Sequence, residues 1–247
     1  KMKVLLDVND LRDLWSRVFR IATGCRALDR LLGGGFPSSH VTIVYGERSS
    51  GKTQLCHQLI AHHLTMNPQL FAVYVDVDLS FSPQRVASIV SRYGVMDPKN
   101  VLSRILYYKP TTFEEQVHVV DLLDEAYGKV PYSLIIVDSI STLARGEYGM
   151  AVVEMSRALS SYIRKLQDYA FKRNVVIVAT DNVRLMKLQN KELLVPVSSQ
   201  AIEISTTHLR LIRGPGTKRI CRVEASPLLP EGEALFLVEE QGLVDCL

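Results

Sequence analysis

Val41-Thr-Ile-Val-Tyr45 running straight into Gly46-Glu-Arg-Ser-Ser-Gly-Lys-Thr53 is the stretch that decides the fold. The first five residues are an apolar run of strand length, the next eight are a complete G-x-x-x-x-G-K-T phosphate-binding loop, and Lys52 to Met66 carries Leu55, Leu59, Ile60 and Leu64 at helical spacing. A loop between a strand and a helix lets successive backbone N–H groups and the positive end of the helix close around a polyphosphate. Gly46 and Gly51 permit backbone geometry that a β-carbon forbids, while Glu47, Arg48, Ser49 and Ser50 line the cradle between them. Lys52 is placed to reach the β- and γ-phosphates and the Thr53 hydroxyl to ligate Mg²⁺.

Outward from this stretch the chain alternates. Leu70 to Val75 is a continuous apolar run ending at Asp76, and helix is expected from Pro83 to Tyr93, strand from Ile105 to Tyr108, helix from Thr112 to Tyr127 and strand from Leu134 to Val137. A helix from Ala151 to Phe171 and a strand from Val175 to Ala179 follow. Continuous apolar strands are covered on both faces, so the alternation predicts a mostly parallel central sheet in an α/β domain with helices on both faces, and its ligand site lies at the carboxyl ends of the strands. Leu209 to Ile212, Arg219 to Val223 and Ala234 to Val238 are short alternating runs joined by Gly- and Pro-rich turns, which predicts a C-terminal antiparallel extension of one edge. The segment Arg184 to Ser199 shows no clear period and is expected to be a mobile loop. Residues 1–20 form an amphipathic arm with Val4, Leu5, Leu6, Leu11, Leu14 and Trp15 as apolar anchors, and residues 21–247 the core domain.

The 247 residues suffice for a full core, and the formal charge is only +3. Its distribution is uneven. Arg184 to Arg222 holds eight basic residues against Glu192 and Glu203, whereas Val223 to Leu247 holds five Glu and one Asp without a Lys or Arg. That contrast fits either two differently charged partners or a solvated face. Cys25, Cys56, Cys221 and Cys246 are far apart and form no C-x-x-C, so neither zinc nor a disulfide framework is expected. No apolar run approaches ~18 residues, which points to a soluble intracellular protein without a membrane partner.

Leu134-Ile-Ile-Val-Asp138-Ser139 is an apolar strand ending in an acid, and with a phosphate loop upstream it marks Asp138 as the second protein group on the metal side. Hydrolysis further requires a group that orients or deprotonates water. Asp76 and Asp78 after the second strand are candidates, and Asp181 and Asn182 after Val175 to Ala179 are placed to sense a γ-phosphate.

Thr23-Gly24, Leu28-Asp29, Leu31-Leu-Gly-Gly-Gly35, the phosphate loop, Tyr74-Val-Asp76, Phe81-Ser-Pro83 with Arg85, and Leu134 to Ser139 together resemble the RecA/RadA recombinase ATPase core. Ser205-Thr-Thr207, Leu209-Arg-Leu211, Arg213-Gly214, Arg219-Ile-Cys221, Ser226-Pro227, Leu229-Pro-Glu231, Glu233-Ala234 and Gly242 resemble its eukaryotic and archaeal branch. The resemblance implies a RecA-like P-loop ATPase fold, ATP and Mg²⁺ as ligands, filaments on single-stranded DNA, and homologous recombination as the process.

Departures from the family pattern shape the expectation. The family's catalytic glutamate falls at Asp78 and its γ-phosphate-sensing glutamine at Asn182, each one methylene short. The acid that covers a neighbour's ATP falls at Ala225. The first DNA loop, around Arg145 to Met150, is shorter than the family's and lacks its Gly-Arg-Gly. The second, Arg184 to Ser199, keeps Arg184, Lys187 and Lys191 for phosphate contacts but has no aromatic to stack on bases. The helical N-terminal DNA-binding domain has no counterpart and is expected to be absent, and Phe19-Arg-Ile-Ala22 reads as the domain's first strand. Together these imply an ATP-binding recombinase paralogue with weak hydrolysis and weak DNA binding. It would assist a RecA-like filament in double-strand break repair beside a second paralogue, in a nucleus or in the cytoplasm of an archaeon. The alternatives are an active DNA-dependent ATPase catalysing strand exchange and a P-loop kinase.

Overall fold

A computed structural model describes residues 7–188, 191–199 and 206–246. The expected anchors Val4, Leu5 and Leu6, the side chain of Leu14, and Ser205 lie outside the described residues. The chain opens with α1 (Val8–Ser16) and β1 (Arg20–Ile21), then α2 (Arg26–Leu31) and β2 (Phe36–Pro37), which pairs antiparallel with β1. The alternating body follows: β3 (His40–Gly46), α3 (Lys52–Met66), β4 (Phe71–Asp76), α4 (Pro83–Ser91), α5 (Lys99–Leu102), β5 (Ile105–Tyr108), α6 (Phe113–Ala126), β6 (Tyr132–Asp138), α7 (Thr142–Tyr148), α8 (Val152–Arg173) and β7 (Val176–Asp181). Then come β8 (Val183–Leu188), β9 (Lys191–Pro196), β10 (Thr207–Arg213), β11 (Lys218–Ala225), β12 (Glu233–Glu239) and β13 (Gly242–Asp245).

The main sheet has the order β13-β12-β11-β10-β3-β7-β6-β4-β5. From β10 to β5 every pairing is parallel, and β11, β12 and β13 add antiparallel strands at one edge. Alternate residues of each parallel strand feed two cores. Val44, Tyr74, Ile136 and Val178 pack with Leu55, Leu59 and Ile89 on the α3–α4 side, while Ile43, Val73, Ile135 and Ile177 pack with Leu159, Ile163 and Leu166 of α8 on the other. This double coverage is why the strands read as unbroken apolar runs.

Local chemistry sets the helix ends. Ser82 accepts from the Arg85 amide at 3.1 Å with Pro83 in the first turn of α4, and Thr112 accepts from the Glu115 amide at 3.1 Å at the start of α6. The far end of α3 is closed by Arg104, whose guanidinium donates to the carbonyls of Leu64, Asn67, Leu70 and Asn100. Leu64 in the last turn of α3, Asn67 at its C-cap and Leu70 beyond it are thereby tied to Asn100 of α5 through one side chain.

Two sequence expectations need correction. Arg184 to Ser199 is no structureless loop: β8 and β9 form an antiparallel hairpin in the register Arg184↔Val195, Leu185↔Leu194 and Met186↔Leu193. Apolar residues on both strands pair across the ribbon, and no Asn-Gly or Gly-Gly turn marks it in the sequence. Arg145 and its neighbours, expected as a loop, belong to α7. The charge contrast also resolves in part within the fold: basic β11 pairs with acidic β12, so Arg222 bonds Glu233, and both Arg210 and Arg222 stand within 3.9 Å of Glu224.

Candidate functional site

The site sits where β3, β7, β6 and β4 end side by side. Gly46 must lack a side chain, because a β-carbon there would lie 2.4 Å from the Leu211 carbonyl oxygen of β10 and 2.6 Å from Ser50 Oγ. Gly51, at φ +104, turns the chain into α3 with a left-handed conformation that suits glycine. The strand-to-helix turn therefore rests on close packing as well as on ligand access. Glu47, Arg48 and Ser49 are exposed along the loop, and Ser50 is buried with an unpaired hydroxyl.

Lys52 donates to the Gly46 carbonyl at 2.8 Å and the Glu47 carbonyl at 3.0 Å, curling back over the loop it belongs to. Burial pushes its pKa down, and Asp138, Asp181 and Asp78 oppose that shift. A polyphosphate would replace weak carbonyl partners with anionic oxygens, which form stronger, charge-assisted bonds to an ammonium.

Asp138 is buried at the end of β6 and gathers hydroxyl donors: Thr53 Oγ1 at 2.8 Å, Tyr74 OH at 2.9 Å, Ser80 Oγ at 3.0 Å and Thr180 Oγ1. The Thr53–Asp138 contact joins the two groups expected on the metal, from helix and strand, 85 residues apart in sequence. One hydroxyl plus one carboxylate, with phosphate oxygens and waters completing the shell, is the donor set Mg²⁺ takes. Ser80 and Thr180 carry no signal in the sequence, and Tyr74 stands there only within a motif of the resemblance; the adjacency of β4, β6 and β7 brings their hydroxyls to Asp138.

The four candidate polar groups beyond the loop separate into two classes. Asp76 is committed to structure. Its buried carboxylate accepts from the amides of Ser80 (2.9 Å) and Phe81 (3.1 Å) and from Tyr107 OH (2.9 Å), fixing the turn into α4. Asp181 is committed likewise: fully buried, it accepts from Ser141 Oγ at 2.5 Å, Ser198 N at 2.9 Å, Ser198 Oγ at 2.6 Å and the Asn182 amide at 2.9 Å. Desolvation raises its pKa against the pull of those donors. It ties the start of α7 to the base of the β8–β9 hairpin. Asp78 and Asn182 are the available groups. Asp78 is exposed with one contact, Ser139 Oγ at 3.4 Å, and Asn182 is half-buried with its side-chain amide 3.4 Å from Thr142 Oγ1.

His57 lies one turn beyond Thr53, between the Tyr74 and Phe81 rings, and accepts from the Ser82 amide at 3.1 Å. Burial lowers its pKa to about 4, so it is a neutral packing group. Ala225 is exposed at the start of the β10–β11 ladder, opposite His208, whereas the phosphate loop adjoins the other end of that ladder through Gly46↔Leu211. Among the DNA candidates Arg145 is exposed on α7, Arg184 is half-buried with its Nε shielded and unpaired, and Lys187 and Lys191 occupy facing strands of the hairpin.

The Rad51 family model matches residues 15–246. A meiotic recombination protein DMC1 homolog A from Oryza sativa subsp. indica is 34% identical over 240 residues, covering 92% of this chain and 69% of that protein. DNA repair protein RAD51 of Saccharomyces cerevisiae is 31% identical over 241 residues, covering 93% of this chain and 60% of that protein. DNA repair protein RAD51 homolog 1 of Arabidopsis thaliana is 32% identical over 241 residues, with 93% and 70% covered.

Proposed function

The chain belongs to the Rad51 family, and from that premise we propose that it is an ATP- and Mg²⁺-binding accessory recombinase, a paralogue that uses bound nucleotide chiefly to set its shape for a partner. The observation that carries this is the contrast inside one site. Thr53 bonds Asp138 and Lys52 folds back over the phosphate loop, which supports Mg²⁺–nucleotide binding, while the groups that would act on its γ-phosphate, Asp78 and Asn182, are each one methylene shorter than the family resemblance leads one to expect.

Gly46 to Thr53 hold the phosphates, Thr53 and Asp138 hold the metal, Asp78 orients water, and Asn182 reads the γ-phosphate. Mg²⁺ would supply charge neutralisation across the phosphates. Arg145, Arg184, Lys187 and Lys191 give a sparse cationic set for single-stranded DNA, without an aromatic platform. The partners are a RecA-like filament and a second paralogue. The work is double-strand break repair, in a nucleus or in an archaeal cytoplasm.

Pull-down with ATP, ADP and no nucleotide tests this reading, with Lys52→Ala as the arm that removes nucleotide affinity. Partner capture that requires ATP and is lost in Lys52→Ala is the expected result. Capture indifferent to both removes nucleotide as the assembly ligand. A second reading, an active DNA-stimulated ATPase, draws support from the exposure of Asp78, whose carboxylate is not tied down as those of Asp76 and Asp181 are.

A further inference from the structure

A second concavity lies at the amino ends of the strands, away from the nucleotide site. β3 begins at His40, which lines this cleft, and ends at Gly46 in the phosphate loop, so the two sites stand a strand apart, roughly 20 Å at ~3.3 Å per residue. The cleft encloses about 410 Å³ between the end of α1, the last turn of α8 and the turn after β11, a size that ligand clefts share. Trp15 and Phe171 form its lips, 59% and 42% exposed, and Val18, Pro227 and Leu228 continue the apolar wall.

The polar groups of the wall are already committed. Gln167 accepts from the Val41 amide at 3.1 Å and donates to the Ser39 carbonyl at 3.2 Å. Asn174 accepts from the hydroxyls of Ser38 (2.7 Å) and Ser39 (2.8 Å) and donates to the Arg17 carbonyl at 3.0 Å. His40 Nε2 is bonded to Thr207 Oγ1 at 2.8 Å, and burial keeps the ring neutral by lowering its pKa to about 4. Ser226 Oγ accepts from the amides of Leu228 and Leu229, each at 3.0 Å, and so fixes the turn that carries the far wall. These bonds preform the cleft and leave its inside an apolar surface.

Its charge is one-sided. Among the described residues no Asp or Glu lines it, and two cations do. Lys172 is paired with Asp124 at 2.8 Å, whereas Arg17 is exposed and its guanidinium makes no ion pair among the described residues. An occupant that complements this arrangement is apolar where it enters and acidic just outside, beside Arg17. We propose that the cleft is a docking site for a protein partner through a short acidic segment bearing a branched aliphatic side chain. The aliphatic group packs between Trp15 and Phe171, and a flanking carboxylate meets Arg17. Burial of the two aromatic lips supplies most of the affinity, and the arginine supplies the preference for acid. Nothing in this rests on the nucleotide-binding reading, because none of these residues belongs to that site.

Trp15 is the one tryptophan of the chain, so its emission reports on the cleft directly. The full chain is titrated with the synthetic peptide Glu-Asp-Leu-Leu-Asp-Glu, and a saturable blue shift is expected. Phe171→Ala should weaken the peptide about 10-fold or more, and Phe171→Leu, which keeps an apolar lip, should stay within about 3-fold of wild type. Arg17→Ala should cost about 2- to 5-fold and remove most of the salt dependence. Peptides with lysine in place of the acids, or alanine in place of the leucines, should give no shift. The Lys52→Ala protein should respond as wild type does. No shift with the acidic peptide overturns the proposal, as does an equal response in Phe171→Ala or a response lost in Lys52→Ala. A Trp15 shift that appears on raising protein concentration alone, with dimers in light scattering, also overturns it, since a second copy then fills the cleft.

Discussion

Lengthening Asp78 to glutamate should switch on ATP turnover. The amides of Val77 and Asp78 both donate to the Asp138 carbonyl, at 2.8 and 3.1 Å, so the backbone that carries the carboxylate is fixed to the end of β6 and cannot advance toward a nucleotide. Its reach is set by side-chain length alone, and one methylene is worth about 1 Å. Misplacement of that size costs on the order of 10²-fold in rate, or about 2.7 kcal/mol of barrier. Asp78→Glu is therefore expected to raise single-turnover phosphate release about 10- to 100-fold in the presence of single-stranded DNA, with ATP affinity, measured separately, nearly unchanged. Asp78→Asn keeps the length and loses the charge, and should leave the low rate at or below its starting value. Asn182→Gln added to Asp78→Glu should raise the rate further. If Asp78→Glu leaves the rate level while Asp78→Asn abolishes it, the shorter acid is already a working group and the accessory reading fails.

Two further predictions concern stability. Arg104→Ala removes four donors from the carbonyls of Leu64, Asn67, Leu70 and Asn100, and at roughly 1 kcal/mol each plus lost packing should lower unfolding free energy by about 3–5 kcal/mol in urea titration. A loss under about 1 kcal/mol refutes the role of Arg104 as the cap of α3. Acid should also destabilise the protein early. Burial holds His40, His57, His63 and His208 at about 4 from an ordinary 6.5, so the unfolded chain binds more protons between those values, and stability is full above pH 6.5 and lost as pH falls toward 4. Each contributes up to ~2 kcal/mol of loss at pH 5; a urea midpoint that stays level from pH 7 to pH 5 contradicts this burial.

The sequence by itself determined the phosphate loop, the parallel α/β body and the antiparallel edge, because each is written in local chemistry. A strand covered on both faces must be apolar throughout, a helix shows its stripe, and Gly46, Gly51, Lys52 and Thr53 stand within one turn of each other. Tertiary structure alone decided which polar residues are free to act. Asp76, Asp78, Asp181 and Asn182 look alike at the ends of two strands, yet Asp76 is consumed by the Ser80 and Phe81 amides and Asp181 by Ser141 and Ser198, leaving Asp78 and Asn182. The hairpin at β8–β9 and the ring of hydroxyls on Asp138 were equally hidden. Their partners are set by strand order across the sheet, and a hydroxyl far away in sequence carries no periodic signal of what it will touch.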